Sequence, residues 1–272
     1  MARRRRSGRG SGTGGQIAAI AVLSVGIVAV LAVLGYLYAS AQANYVAIDN
    51  ETLCPQSGVT AQTVVLLDTT DALAEVTRSE VLGKLDDVVA GLPRGGLLDI
   101  RVLNEDPGKT GRLVHLCNPG DGAQLDGLTA NPELAKRRWT EQFRAPVTKS
   151  LAEAVAGNEQ QASPIMAALQ QVAAELLSRE AQRAVPTRIV VVSDMLEHTR
   201  FYSMFRDGLD YDGFVGKAGQ RYLTDFAGAN VDIWLVQRDR PDIDPKRLAE
   251  FWLRWIEADR GTGRVTRLAG ML

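Results

Sequence analysis

Two apolar stretches of this sequence each end in hydroxyl side chains and an aspartate. The first, residues 63–67 (Thr-Val-Val-Leu-Leu), leads into Asp68 and, two residues later, Thr70. The second, residues 188–192 (Arg-Ile-Val-Val-Val), leads through a serine into Asp194. A short apolar run is typical of a central strand that helices cover on both faces. Because ligand sites of open α/β sheets lie at the carboxyl ends of the strands, we expect Asp68 and Asp194 to meet there.

A further candidate donor, Ser163, directly precedes a segment with helical character. Asp68, Thr70, Ser163 and Asp194 form a ligand set that contains only oxygen, which suits Mg²⁺ or Mn²⁺ with waters in the remaining positions. The alternative needs no metal. In it, Thr70 or Asp71 caps the following helix, and Asp194 accepts hydrogen bonds from neighbouring backbone N–H groups.

The elements that must position these side chains alternate between strands and helices. Strands are predicted at residues 63–67, 97–103, 112–116, 188–193 and 231–236. Helices are predicted at residues 75–91, 132–155 and 164–183, with a last one from Pro245 that Asp244 caps. Ser163 stands where it would cap the helix at 164–183. The alternation predicts an α/β fold with a doubly wound, mainly parallel sheet, and the second and third strands form a hairpin at one edge.

This pattern resembles the von Willebrand factor A domain with its metal-ion-dependent adhesion site. That family has Asp-x-Ser-x-Ser after the first strand, a threonine before a central helix and an aspartate after the fourth strand. Asp68 matches the first aspartate and Thr70 the first hydroxyl, whereas Ala72 stands at the second hydroxyl position. Ser163 falls at the threonine position and Asp194 at the last aspartate. The resemblance implies a Rossmann-like fold whose cation leaves one coordination position for an acidic residue of a partner protein.

Two other functions are compatible with the same residues. The segment around Asp68 also resembles phosphatases of the haloacid dehalogenase type, in which Asp68 would be the phosphorylated nucleophile and Asp194 a magnesium ligand. Most of that family has an acid two residues after the nucleophile, and this chain has Thr70, so the proton donor is absent and binding is favoured over catalysis. The other alternative, suggested by Ala72, is a structural scaffold without metal.

The N-terminal part of the chain predicts a single membrane anchor. Residues 1–16 form a basic leader, residues 17–39 contain no charge, residues 40–60 form a linker, and residues 61–272 form the α/β domain. An uncharged stretch of this length spans about 30 Å of hydrocarbon. The arginines on the leader side predict a cytoplasmic N-terminus in a bacterial inner membrane. A cleaved signal peptide is the alternative, with Ala39-Ser40-Ala41 as the processing site.

Cys54 and Cys117 both lie beyond the predicted anchor. In an oxidising compartment they are expected to form one disulfide, and two buried thiols are the alternative. Their spacing and the presence of only two histidines argue against a zinc site. The chain has a net charge of −1, and removing the five leader arginines leaves −6 for the exported part. This balance argues against a nucleic-acid partner.

Aromatic residues crowd into an insertion at residues 199–226. Tyr202, Phe205, Tyr211 and Phe214 are candidates for binding a partner, because exposed aromatic side chains anchor protein interfaces. In the alternative, the same rings bury the insertion against its own domain. We therefore predict a membrane-anchored module outside the cytoplasm that holds a partner protein of an envelope assembly, without catalysis.

Overall fold

A computed structural model describes residues 13–43, 46–69, 73–104, 106, 109–125, 127, 130–155, 162–238 and 242–269. The chain divides into two compact units, one of residues 1–45 with 124–132 and the other of residues 46–123 with 133–272. In the first unit, helix α1 extends over Thr13–Ala43. Within it, the 28 residues Gly15–Gln42 have a mean hydropathy of 3.0, and this is the one helix of the described residues that is long and apolar enough to cross a membrane.

The second unit is built on a six-stranded sheet. Its strands are β1 (Gln62–Leu67), β2 (Leu97–Leu103), β3 (Thr110–Cys117), β4 (Thr187–Ser193), β5 (Asn230–Leu235) and β6 (Thr262–Arg267). The strand order is β3-β2-β1-β4-β5-β6, and every neighbouring pair is parallel except β2 and β3. The predicted doubly wound, mainly parallel sheet with a hairpin at one edge is confirmed.

Helices cover this sheet on both faces. They are α2 (Glu75–Ala90), α3 (Pro132–Arg138), α4 (Ala145–Ala154), α5 (Ile165–Leu176), α6 (Glu180–Arg183), α7 (Met204–Asp207), α8 (Tyr211–Phe214) and α9 (Pro245–Ala258). A π-helical turn at Trp139–Arg144 joins α3 to α4, and another at Val215–Gly219 follows α8. The single helix predicted at 164–183 is interrupted at Leu177, whose carbonyl accepts a hydrogen bond from Arg183 Nε at 2.8 Å.

Strand β1 illustrates how the two layers are filled, because all six of its residues are buried. Val64 and Leu66 face the helices α5 and α9, whereas Val65 and Leu67 face α2 and α4. Burying one such side chain contributes roughly 1.5–3 kcal/mol relative to leaving it exposed. Because both faces of the strand are covered, residues 64–67 are all apolar, and this explains why the run shows no polar face in the sequence.

The strand order reverses between β1 and β4. The connection from β1 leads to β2 on one side, and the connection from β4 leads to β5 on the other. The carboxyl ends of β1 and β4 therefore flank a crevice that neither connection crosses, the position at which open α/β sheets bind ligands. The sheet thus brings the segments after Leu67 and Ser193 to one place.

Two features differ in extent from the sequence prediction, and a third agrees with it. Strand β6 was not predicted, because the half-exposed residues Thr262–Arg267 of this edge strand are mostly polar and lack a clear apolar face. Cys54 and Cys117 are joined in the predicted disulfide. Residues 46–60, assigned to the linker from the sequence, include the buried Leu53 and belong to the compact unit of the sheet.

Candidate functional site at the carboxyl edge

The ends of β1 and β4 are joined by hydrogen bonds that involve Asp68. Its backbone N–H donates to the carbonyl of Val192 at 2.9 Å, which extends the pairing of the two strands by one residue. Its carboxylate Oδ2 accepts a hydrogen bond from Ser193 Oγ at 2.7 Å. The same hydroxyl accepts a hydrogen bond from the backbone N–H of Met195 at 2.8 Å. The half-buried carboxylate of Asp68 is thereby fixed against the turn that follows β4.

Asp194 lies in that turn and contacts the positively charged side chain of Arg238. Its Oδ1 accepts a hydrogen bond from the backbone N–H of Leu196 at 3.0 Å, as the alternative without metal predicted. Its Oδ2 lies 3.5 Å from Nε of Arg238, which follows strand β5. Met195 has a φ of 60°, an unfavourable conformation for a residue with a side chain. This conformation directs the chain sharply away from the strand and leaves Asp194 at the crevice.

Glu197 is a buried carboxyl group of this site that sequence reasoning missed. Its Oε2 accepts a hydrogen bond from the backbone N–H of Met166 in the first turn of α5, at 2.9 Å. Burial, together with the nearby charge of Asp68, raises its pKa to about 8, against the opposing effect of the N–H groups of Met166 and Ile165. Glu197 is therefore a helix cap that favours its protonated form.

Ser163 is placed differently from the prediction. Helix α5 begins at Ile165 with Pro164 in the cap position, so Glu197 takes the capping role that was predicted for Ser163, and that prediction is wrong. The backbone of Ser163 instead pairs with His198, through N–H···O=C distances of 3.2 and 3.1 Å. Ser163 thus lies beside the turn that follows Asp194, and the structure does bring it to the same edge.

The donor set fits a divalent cation only in part. Asp68, Ser163 and Asp194 lie at one edge and present oxygen atoms, as Mg²⁺ and Mn²⁺ prefer. However, the described residues contain no group of three or more acidic, histidine or cysteine side chains suited to a metal ion. Arg238 also occupies a position beside Asp194 that a cation would compete for. Thr70 and Ala72 lie outside the described residues.

The four aromatic candidates for partner binding fall into two groups. Tyr202 and Phe214 are each 1% exposed, with ring centroids 5.0 Å apart, and Phe214 also packs against Phe251 of α9 at 5.2 Å. Tyr211 is half-buried against the same Phe251 ring, whereas Phe205 is 43% exposed. The expectation of an exposed aromatic surface is wrong for Tyr202 and Phe214, because the insertion uses these rings as its own core. The alternative, in which the rings bury the insertion against its own domain, is confirmed for these two residues.

The cavity next to Asp68 is small. Among the described residues it has a volume of about 10 Å³ and is lined mainly by apolar side chains, which are Leu67, Leu73, Val81, Val155 and Val192, together with Asp68 and Thr69. A space of this size holds roughly one water molecule. The described part of the edge is therefore a shallow polar surface above a filled core.

No known family model matches this chain, and no curated protein matches it. Solved structures similar to it include a von Willebrand factor type A protein from Catenulispora acidiphila, with 11% identity, a TM-score of 0.40, and coverage of 77% of this chain and 39% of that one. The ArnB paralog VWA2 from Sulfolobus acidocaldarius has 14% identity, a TM-score of 0.41, and coverage of 77% and 41%.

An aerotolerance-related membrane protein from Bacteroides fragilis is also similar, with 14% identity, a TM-score of 0.36, and coverage of 76% of this chain and 91% of that one. This chain spans about two fifths of the length of the first two proteins. The strand order and connections described above, rather than these scores, establish the fold class of the domain.

Proposed function

We propose that this chain is a membrane-anchored module that binds a partner protein outside the cytoplasm through the carboxyl edge of its sheet. The observation that carries the proposal is the Asp194–Arg238 contact, which stands beside the Asp68–Ser193 pair at the point where the strand order reverses. Fixed polar groups of both signs at an open crevice can recognise complementary charges on a partner. The basic leader and the apolar helix α1 support an orientation with the domain outside the cytoplasm.

The shape of this edge supports a protein partner over a small substrate. Ligand pockets usually enclose roughly 300–1,000 Å³, whereas the described cavity beside Asp68 has about 10 Å³. His198, which follows the same turn, pairs through Nδ1 with Ser203 Oγ at 2.8 Å. That geometry ties the imidazole to the insertion.

We also propose that Arg238 acts as the counter-ion of Asp194, so that binding does not require a metal. Mg²⁺ or Mn²⁺ remains a proposed ligand of Asp68, Ser163 and Asp194, since their oxygen atoms suit such an ion. When bound, it would supply a positive charge for an acidic group of the partner. It would first have to compete with the guanidinium group for Asp194.

Site-specific photocrosslinking of the full-length protein in the cells that produce it tests the proposed surface. A photoreactive amino acid is placed at Val76 or His198, which are exposed near the carboxyl ends of β1 and β4. The matched positions are Pro186 and Asn230, which are exposed at the opposite ends of β4 and β5. We expect one adduct of the same mass from both carboxyl-edge positions and none from the matched pair.

The variant Asp194→Asn connects the adduct to the proposed chemistry. It keeps the size of the side chain and removes the charge that Arg238 contacts, so the yield of the adduct should fall. Adducts from Pro186 and Asn230 alone would place the binding surface at the wrong edge and overturn the proposal. Adducts that Asp194→Asn leaves unchanged would overturn the role of the Asp194–Arg238 pair.

A further inference from the structure

A groove of about 630 Å³ runs between helix α5 and the end of the aromatic insertion. Helix α5 contributes two small residues and two amides, which are Ala167, Ala174, Gln170 and Gln171. The facing wall contains Phe201, Arg221 and Tyr222. The volume lies within the range of sites that bind ligands or short peptide segments.

The side chain of Gln170 connects the two walls of the groove. Gln170 Nε2 donates to the carbonyl oxygens of Arg221 and Leu223, each at 3.0 Å. These two hydrogen bonds fix the 221–223 backbone against α5, and the side chain of Leu223 remains 73% exposed. The groove is therefore formed before any ligand enters, which reduces the entropic cost of binding.

Two arginines flank an aromatic ring on the insertion side of the groove. The guanidinium carbons of Arg200 and Arg221 lie 4.4 and 3.3 Å from the centroid of the Phe201 ring. Both arginines are exposed. Stacking on the ring orients each guanidinium plane and leaves its N–H groups available to donate hydrogen bonds to a carboxylate.

These arginines differ from their neighbours in lacking an acidic partner. Arg206, Arg254 and Arg260 of the same region each form an ion pair with an aspartate. Within the described part of the chain, Arg200 and Arg221 form no ion pair with an acid. No ion pair with an acid of the described residues therefore neutralises the positive charge of these two arginines.

We propose that this groove binds an acidic segment of the partner protein, with carboxylates on Arg200 and Arg221 and an apolar side chain against the small residues Ala167 and Ala174. The inference rests on the proposed function and names the chemistry of the partner. A carboxylate matches the planar donors of an arginine, and the alanine side of the groove gives space for an apolar residue. Arg200 follows the turn after β4, so the groove adjoins the carboxyl edge.

A partner protein fits this surface better than an anionic membrane. Without the five leader arginines the exported part of the chain has a charge of −6, so the domain as a whole is repelled by acidic lipids. Two arginines beside a groove provide local recognition of a carboxylate but too little charge for attachment to a membrane surface. Lipid binding is nevertheless an outcome that the test separates.

The experiment measures fluorescence anisotropy with the full-length protein in phosphatidylcholine nanodiscs. The probe is a labelled five-residue peptide in which two acidic residues flank a central leucine on each side, and the control peptide has lysine in place of each acid. We expect saturable binding of the acidic peptide only. Arg200→Glu/Arg221→Glu should weaken it roughly tenfold or more, because repulsion replaces attraction at both positions.

The matched control is Arg138→Glu/Arg179→Glu, which changes the net charge equally at two exposed arginines outside the groove. It should weaken binding less than about twofold, through long-range charge alone. Equal losses in the two double variants, or no binding of the acidic peptide, would overturn the groove. Binding of phosphatidylglycerol vesicles that depends on Arg200 and Arg221, without peptide binding, would also overturn it. In each case, adducts from Val76 and His198 would still test the carboxyl edge independently.

Discussion

The same sheet carries two clusters of charged side chains that differ in their ratio of acidic to basic groups. The first, here called the hairpin network, consists of Asp99, Arg101, Arg112, His115 and Glu175 on the side of β2 and β3. Arg101 donates to both carboxylate oxygens of Asp99 at 2.9 Å and to Glu175 at 2.7 Å, and its side chain is 1% exposed. Burial alone would raise the pKa of Asp99, but hydrogen bonds from His115 and Arg101 and the charge of Arg112 lower it to about 2.

The second, here called the edge cluster, consists of Asp68, Asp194, Glu197 and Arg238 at the carboxyl ends of the strands. It holds three carboxyl groups and one guanidinium group, which is 3.5 Å from Asp194. Its buried member, Glu197, has a pKa raised to about 8. Asp99 and Glu197 are both fully buried, so the number of cationic partners decides which of these two carboxyl groups is charged. A complete network stabilises the fold, whereas an incomplete one at a crevice is typical of a binding site.

Removing the main cation of the hairpin network should have the largest effect on stability. Arg101→Met leaves the Asp99 carboxylate buried without its bidentate partner, and breaking such a pair costs roughly 3–5 kcal/mol. For a domain of this size, that corresponds to a decrease in Tm of about 6–20 °C. Thermal unfolding of the full-length protein in a non-ionic detergent, followed by circular dichroism, measures it.

Two variants sharpen this prediction. Arg112→Met removes a guanidinium group that is 43% exposed and should cost less than about 1 kcal/mol. The double variant Asp99→Asn/Arg101→Met removes the charge that Arg101→Met leaves buried, so it should be more stable than the single variant. A single variant that is as stable as the wild type would show that the network is not what holds β2 and β3 to α5.

The two clusters should respond to pH in opposite directions. A lowered pKa means that Asp99 contributes stability above its unfolded pKa, which is lost as the pH falls from about 4 towards 2. A raised pKa means that Glu197 contributes stability below its unfolded pKa, which is lost as the pH rises from about 4 to 8. One proton gives a slope of at most about 1.4 kcal/mol per pH unit.

Glu197→Gln isolates the second response. The amide resembles the protonated acid and can still accept the hydrogen bond from the N–H of Met166. We expect Tm of the variant to exceed that of the wild type above pH 8 and the difference to shrink towards pH 5. Melting curves from pH 5 to 9 measure it, and a difference that does not change with pH would contradict the raised pKa.

The sequence predicted the hairpin side and the strand ends better than the details of the edge. The apolar runs before Asp68 and Asp194 identify buried strands because burial on both faces is a local property of five or six residues. The disulfide followed from the predicted compartment and the cysteine count. These features need no knowledge of which distant residues meet.

The parts that were missed depend on long-range contacts. Glu197 has no periodicity that marks it as buried, and its capping of α5 joins residues 31 apart in the chain. Arg238 could have been placed from the strand order, since it follows β5 next to β4. Tyr202 and Phe214 have the composition of an interface anchor, and only the packing against Phe251 shows that they form core.

The smallest expected effect concerns the competition between Arg238 and a cation for Asp194. In the wild type, 10 mM Mg²⁺ or Mn²⁺ should change Tm by less than about 1 °C, since a cation at a concentration below its Kd adds little stability. Arg238→Gln removes the resident charge and should raise the affinity of the site. At about ten times Kd the cation adds roughly 1.4 kcal/mol. For a domain of this size, that gain is an increase in Tm of about 3–6 °C.

The double variant Asp194→Asn/Arg238→Gln connects the shift to the site, because it removes the carboxylate as well and should abolish the response to the cation. EDTA added to the wild type supplies the baseline. A cation shift in the wild type as large as in Arg238→Gln would mean that the guanidinium group does not compete. The edge cluster would then bind a metal ion, as the resemblance to the von Willebrand factor A family implies. The two clusters would differ in the source of the positive charge, a bound ion or arginine side chains, rather than in the number of cationic partners.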